Sequence, residues 1–226
     1  MSQEGRVLTH EQAQAFYDWM GAKQDLQAFY EEKATRDLIA HAGFETAQAV
    51  FEFGCGTGAF AEHVLASHLP EEARYLALDS STTMVRLANM RLARFGNRVV
   101  VQQTDGSLQF ETAPGSYDRF VSTYVVDLLS LTDIATLLSE AHRLLTREGR
   151  LCLVSGTHGS TGLSRLLTGL WARLHALRPA LVGGCRPLEL RTLLPTTHWQ
   201  ITYVNVVTAF GIPSEIVIAE RRTVTG

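Results

Sequence analysis

Val50 to Phe60 reads VFEFGCGTGAF: an apolar run, then three glycines at alternate positions, then residues of helical habit. A strand that turns straight into a helix through Gly54, Gly56 and Gly58 brings bare backbone amides close to whatever lies over the turn. Glycine allows positive φ and carries no side chain to obstruct the approach. A Walker-type phosphate loop is excluded, because no Gly-Lys-Ser/Thr follows. The looser dinucleotide fingerprint, Gly-x-Gly-x-x-Ala, is met by Gly54, Gly56 and Ala59, so the loop alone leaves a dinucleotide open.

The rest of the chain repeats the same alternation. Runs suited to strands at Ala49 to Phe53, Arg74 to Asp79, Arg98 to Gln103, Tyr117 to Ser122 and Gly149 to Ser155 are separated by helical patterns at Ala59 to Ser67, Thr82 to Phe95 and Leu131 to Thr146. In the last of these Ile134, Leu137, Leu138, Ala141, Leu144 and Leu145 recur at steps of three and four, which predicts a helix packed on a sheet. Alternating strands and helices predict a parallel α/β sheet. The end differs: QITYVNVVTAF and SEIVIAERR are strand-like and joined only by GIP, too short for a parallel crossover, so an antiparallel hairpin is expected from Gln200 to Arg222.

In order, FEFGCGTGAF, YLALDSS, QTDGSLQF and YDRFVSTYVVDLL resemble the class I S-adenosylmethionine-dependent methyltransferases. Glu52, two places before the first glycine, and the Gly-x-Gly-x-Gly spacing suit that family better than a dehydrogenase, and so does the terminal hairpin. The resemblance runs from Ala49 to Arg222. It implies a Rossmann-like, doubly wound seven-stranded sheet of order 3-2-1-4-5-7-6, with S-adenosyl-L-methionine as cofactor. It also implies that Gly54, Gly56 and Gly58 line the methionine part, with Glu52 near its amino group. Asp79 and Ser80 would sit at the ribose, Asp105 and Gly106 at the adenine, and Ser122 and Thr123 beside the sulfonium. An acidic residue at Asp79 also suits the ribose of NAD and does not discriminate on its own.

Methyl transfer needs an acceptor aligned with the methyl and shielded from water, while a general base is optional. The carboxyl ends of the strands are the place to look for these groups. His158, beyond the fifth strand in SGTHGS, reads as a base or acceptor contact, or as a loop histidine on the surface. Tyr124 and Asp127 follow the fourth strand and would face the methyl; Tyr124 also reads as core, and Asp127 as a helix cap. Arg186, in GGCRP, would hold a carboxylate or phosphate of the acceptor, whereas Cys185 beside it reads as a buried inert thiol. Tyr17 and Tyr30, on N-terminal helices expected to fold over the cofactor, would contact the sulfonium and the acceptor respectively, or simply pack.

With 226 residues, one domain is expected over 1–226, with 1–45 a helical cap and 160–194 an inserted lid whose leucines from Leu163 to Leu177 form a stripe. A formal charge of −3 and the lack of a basic stripe argue against nucleic acid as a partner. The three scattered cysteines suggest neither a disulfide framework nor a metal site, and no apolar stretch is long enough for a membrane span. A cytoplasmic enzyme, monomeric or homodimeric, acting on a small and partly hydrophobic acceptor is the expectation. A catalytically silent cofactor-binding subunit, or an enzyme acting on a lipid or macromolecule, stands as the alternative.

Overall fold

The structure, a computed structural model, describes residues 9–21, 28–158 and 186–222. Seven strands form one sheet: β1 (Ala49–Phe53), β2 (Arg74–Asp79), β3 (Val99–Gln103), β4 (Tyr117–Thr123), β5 (Leu145–Gly156), β6 (Trp199–Ala209) and β7 (Ile212–Arg221). Their order is β3-β2-β1-β4-β5-β7-β6, as the resemblance implies. The first five run parallel, and β7 lies antiparallel between β5 and β6. The fold is therefore a Rossmann-like, doubly wound α/β sheet, mostly parallel with a C-terminal antiparallel pair. Helices α1 (His10–Met20), α2 (Ala28–Ala42), α3 (Ala59–Ser67), α4 (Thr82–Leu92) and α5 (Leu131–Leu144) surround it.

Central strands are apolar on both faces because both are covered. Val50, Phe51 and Phe53 of β1 are all buried. Phe51 stacks on Phe120 at 5.0 Å between centroids and meets Tyr117 and Phe110 edge-on or tilted. Truncating such a ring to alanine costs about 3–5 kcal/mol. The helix read from the leucine spacing is α5: Ile134, Leu137, Leu138, Ala141 and Leu144 are buried, and the Ser130 hydroxyl caps it by accepting from the Asp133 amide at 3.0 Å. It ends two residues earlier than expected because the chain enters β5 directly at Leu145, which pairs with Tyr117.

Two other boundaries shift for identifiable reasons. The α-helix expected to reach Phe95 stops at Leu92 and continues as a tighter turn through Gly96, whose φ of 60° no helix accommodates. The terminal hairpin closes through Phe210 and Gly211 alone, at φ 50° and 83°. Two successive left-handed residues match the twist of an antiparallel pair. Pro213 thus belongs to β7 rather than to the turn.

Candidate active site

The loop after β1 folds onto the end of β2. Gly54 and Cys55 amides both donate to the Leu78 carbonyl, at 2.8 and 2.9 Å, and the Gly56 amide donates to Asp79 Oδ2 at 2.8 Å. Gly54 must be glycine: its φ is +79°, and a Cβ there would lie 2.2 Å from Val125 Cγ2. Asp79 is fixed from its other oxygen by the Ser81 amide at 2.9 Å. Burial pushes its carboxyl up, and the amides of Ser81 and Gly56 work against that.

Two cavities open over this loop. The larger is a cleft of about 800 Å³, counting the solvent at its open side, and its walls include Tyr17, Asp79, Ser80, Met84, Gly106 and Leu128. The smaller, about 490 Å³ on the same basis, is lined by Glu31, Glu52, Thr57 and Phe60 among others. Gly54, Gly56, Thr123 and Tyr124 line both. The two spaces therefore meet over the glycine loop, with Tyr124 as their common wall.

Glu52 is 1% exposed and accepts from the Tyr75 hydroxyl at 2.9 Å. Burial raises its pKa to about 8, a rise that the Tyr75 bond opposes and the nearby Asp79 charge adds to. A carboxyl held up in this way by burial favours a cationic ligand group, which would return it to the ionised form. The aminoacyl ammonium of S-adenosylmethionine is such a group. Asp79, Ser80, Thr104 and Gly106 supply the polar edge, and Met84 and Leu128 the apolar walls, that a nucleoside needs in the larger cleft.

Tyr17 reaches the cleft because Asp18 pins α1 across the start of α4. Its Oδ1 accepts from the Ser81 hydroxyl at 2.5 Å and from the Thr83 amide at 3.0 Å. Tyr124 sits at φ 57°, a conformation rare for a bulky residue. It is held there by its amide to the Val154 carbonyl at 2.8 Å and by a hydroxyl contact with Ser214 Oγ at 2.9 Å. Tyr30 meets the Tyr124 ring edge-on at 5.9 Å. Burial raises the Tyr124 hydroxyl well above its ordinary pKa, so it acts as a neutral hydrogen-bonding group.

Several residues expected at the site stand elsewhere. Ser122 is fully buried and its hydroxyl donates to the Phe53 carbonyl at 3.0 Å, tying β4 to β1; side chains alternate along a strand, and of the pair expected at this wall it is Thr123 that faces the cavities. Gly58 caps the start of α3 at φ +77°, where a Cβ would meet the Ala88 backbone at 3.2 Å. It allows α3 and α4 to pack and lines neither cavity. Asp105 is exposed at the rim, its Oδ1 accepting from the Ser107 amide at 2.8 Å, while Thr104 and Gly106 on either side form the wall.

Asp127 is buried behind that wall, in the single turn Val126–Leu128, and lines neither cavity. Nor does it cap α5, which is the role of Ser130. Burial raises its carboxyl to about 7, opposed by its own amide, by Arg186 and by the Gly156 amide. Arg186 faces Asp127 and donates to the Leu129 carbonyl at 2.5 Å, so it supports the cleft wall from outside rather than an acceptor within. His158 is exposed and outside the lining of both cavities. Cys185 and the leucine stripe from Leu163 lie outside the described residues. Met84, Thr104, Leu128 and Glu31 escaped the reading from sequence; Thr104 directly precedes the predicted Asp105, the one positional signal among them, while Met84 stands in the first turn of α4.

No group of metal-ligating side chains occurs among the described residues, and none of their helices is long and apolar enough to cross a membrane. Residues 50–149 match the family described as a methyltransferase domain. No curated protein matches the chain significantly. Among solved structures, the 4+2 cyclase SpnF superposes with a TM-score of 0.72 at 15% identity, over 96% of this chain and 97% of its own. A putative methyltransferase from Bacillus halodurans gives 0.66 at 13% identity, over 84% and 100%. Geranyl diphosphate C-methyltransferase from Streptomyces coelicolor, solved with Mg²⁺, geranyl diphosphate and S-adenosyl-L-homocysteine, gives 0.64 at 15% identity, over 85% and 79%.

Proposed function

We infer that this chain is a class I S-adenosylmethionine-dependent methyltransferase that acts on a small organic acceptor entering beside Tyr124, a reading supported by its methyltransferase-domain match and its fold. The observation that carries this reading is the shared wall. Gly54, Gly56, Thr123 and Tyr124 border both cavities, so an elongated donor lies with its nucleoside over Asp79, its aminoacyl end against Glu52, and its reactive centre between them. When bound, S-adenosylmethionine supplies an electrophilic methyl group on a positively charged sulfur.

The chain's own contribution is alignment and exclusion of water. Gly54 and Gly56 let the ligand approach the backbone, and Asp79 accepts from vicinal hydroxyls while its amide bonds hold it in place. Thr123 and Tyr124 bound the space in which the acceptor's nucleophilic atom must stand. Tyr124, kept neutral and oriented by Ser214, orients that atom by hydrogen bonding or ring contact. The unit is proposed to be one domain over 1–226, with residues 1–45 a cap and 160–194 a lid.

Transfer of a labelled methyl group from S-adenosylmethionine to a panel of small hydroxyl, amine, thiol and carbon acceptors tests the reading. Label appearing in a small organic product supports it. Cofactor binding with no transfer to any small acceptor, or transfer only to RNA, protein or lipid, favours the alternatives.

A further inference from the structure

Glu52 receives the donor's ammonium in the reading above, and a buried carboxyl must itself be held to do so. The neighbouring strand supplies the hold. Tyr75 of β2 is 2% exposed, and its hydroxyl donates to Glu52 Oε2 at 2.9 Å. In the parallel register Ala77 stands beside Glu52 and Tyr75 beside Val50, so Tyr75 lies one same-face step before the direct neighbour of Glu52. That neighbour carries only a methyl group, and Val50, Tyr75 and Ala77 share one apolar cluster. The bond is therefore fixed by the register of two central strands.

Glu52 also lines the smaller cavity, so its carboxyl has Tyr75 on one side and the ligand space on the other. Burial, followed by the Glu52 charge, pushes the Tyr75 hydroxyl well above its ordinary pKa, which keeps it a donor while Glu52 titrates. A phenol that donates to a carboxylate favours the charged form and opposes the rise that burial imposes. Around Glu52 stand Asp79 at the end of β2, the Cys55 thiol of the glycine loop and Glu31 from α2 on the cavity wall. From α4, Arg91 Nη1 donates to the Thr57 hydroxyl of the same wall at 2.6 Å. The hydrogen bond that bears on the Glu52 carboxyl is the one from Tyr75.

We propose that Tyr75 is a positioning residue for the methyl donor: its hydroxyl orients Glu52 toward the aminoacyl ammonium and so sets how strongly the site prefers a ligand that carries the aminoacyl chain. The inference rests on the methyltransferase reading and deepens it. Tyr75 itself lines neither cavity and acts through Glu52.

The test titrates the full chain by calorimetry with two probes that share the nucleoside and the thioether. S-adenosylhomocysteine carries the aminoacyl chain with its ammonium, and 5′-methylthioadenosine lacks it. At neutral pH Tyr75→Phe, which keeps the ring and removes the hydroxyl, should weaken S-adenosylhomocysteine about five- to tenfold and leave 5′-methylthioadenosine within about twofold. The rise of S-adenosylhomocysteine affinity with pH should move to higher pH in the variant, because Glu52 loses the donor that favours its ionised form. In a Glu52→Gln background the same substitution should change the ratio of the two affinities by less than about twofold.

Equal weakening of both probes by Tyr75→Phe assigns the residue to packing and overturns the proposal. An unchanged S-adenosylhomocysteine affinity and pH profile, or an undiminished effect in the Glu52→Gln background, overturns it too. If Tyr75→Phe does not fold, the unmodified protein decides: its preference for S-adenosylhomocysteine over 5′-methylthioadenosine must grow between about pH 6 and pH 8, and a preference independent of pH overturns the proposal. Failure of both probes to bind the unmodified protein defeats the underlying reading, a result distinguishable from all of these.

Discussion

The Tyr124 hydroxyl lies 2.9 Å from that of Ser214, joining the residue after β4 to the start of β7 across β5. Tyr124 is in the left-handed region at φ 57°, and strain of that kind persists only where neighbours enforce it. Ser214→Ala removes the tether and keeps the ring. A stability loss of about 1 kcal/mol is expected. Turnover should fall more than cofactor affinity does, checked by thermal melting, single-turnover rates and calorimetry. Tyr124→Phe should reproduce the rate effect, and unchanged turnover in both would remove the pair from the positioning machinery.

Asp18 fastens α1 through the Ser81 hydroxyl and the Thr83 amide, and so carries Tyr17 to the cleft. Burial pushes its carboxyl up, but these hydrogen bonds outweigh it and leave the pKa below the ordinary 3.8. A depressed carboxyl contributes above its ordinary pKa and loses that contribution as pH falls through the folded value. Docking of α1 should therefore hold at neutral pH and loosen only on strong acidification. Trp19, 74% exposed on the same helix, reports it by fluorescence. Asp18→Ala should show the loosened signal already at neutral pH, with cofactor affinity reduced about five- to tenfold.

Two glycines of the same loop should respond differently to alanine. Gly54→Ala forces a methyl into the Val125 side chain over the cleft and should abolish cofactor binding. Gly58→Ala forces one against α4 and should cost about 1–3 kcal/mol of stability while weakening binding less. Denaturant melts and calorimetry on the pair separate the two roles. Equal loss of binding without loss of stability at Gly58 would return it to the cofactor contacts.

That contrast marks where the sequence is legible. Strand and helix placement followed from periodicity, and the sheet order and hairpin followed from the resemblance and from the short link after β6. Asp79 and the backbone of Gly56 were readable because their work is local to one loop. Ser122, Asp127 and Arg186 were misplaced because their partners, the Phe53 carbonyl and each other, are tertiary neighbours that no spacing along the chain encodes. Glu31 was invisible for the same reason: nothing local to α2 shows that it meets a cavity floored by β1 and β4.

Glu52 should couple cofactor binding to pH. With its pKa near 8 in the cofactor-free protein, it is largely protonated at neutral pH, whereas an ammonium partner requires the carboxylate. Binding at pH 7 should release a proton, and affinity should rise with pH until Glu52 is ionised. Calorimetry in two buffers of different ionisation enthalpy measures the proton count. Glu52→Gln should abolish the release, and a proton count of zero in the unmodified protein would contradict the assignment.

Direct calorimetric titration with S-adenosylmethionine tests the central claim most closely. One site per chain is expected, with a Kd on the order of 10 µM, lost in Gly56→Arg and weakened about tenfold or more in Asp79→Ala. No heat and no thermal stabilisation of the unmodified protein at millimolar S-adenosylmethionine would contradict it.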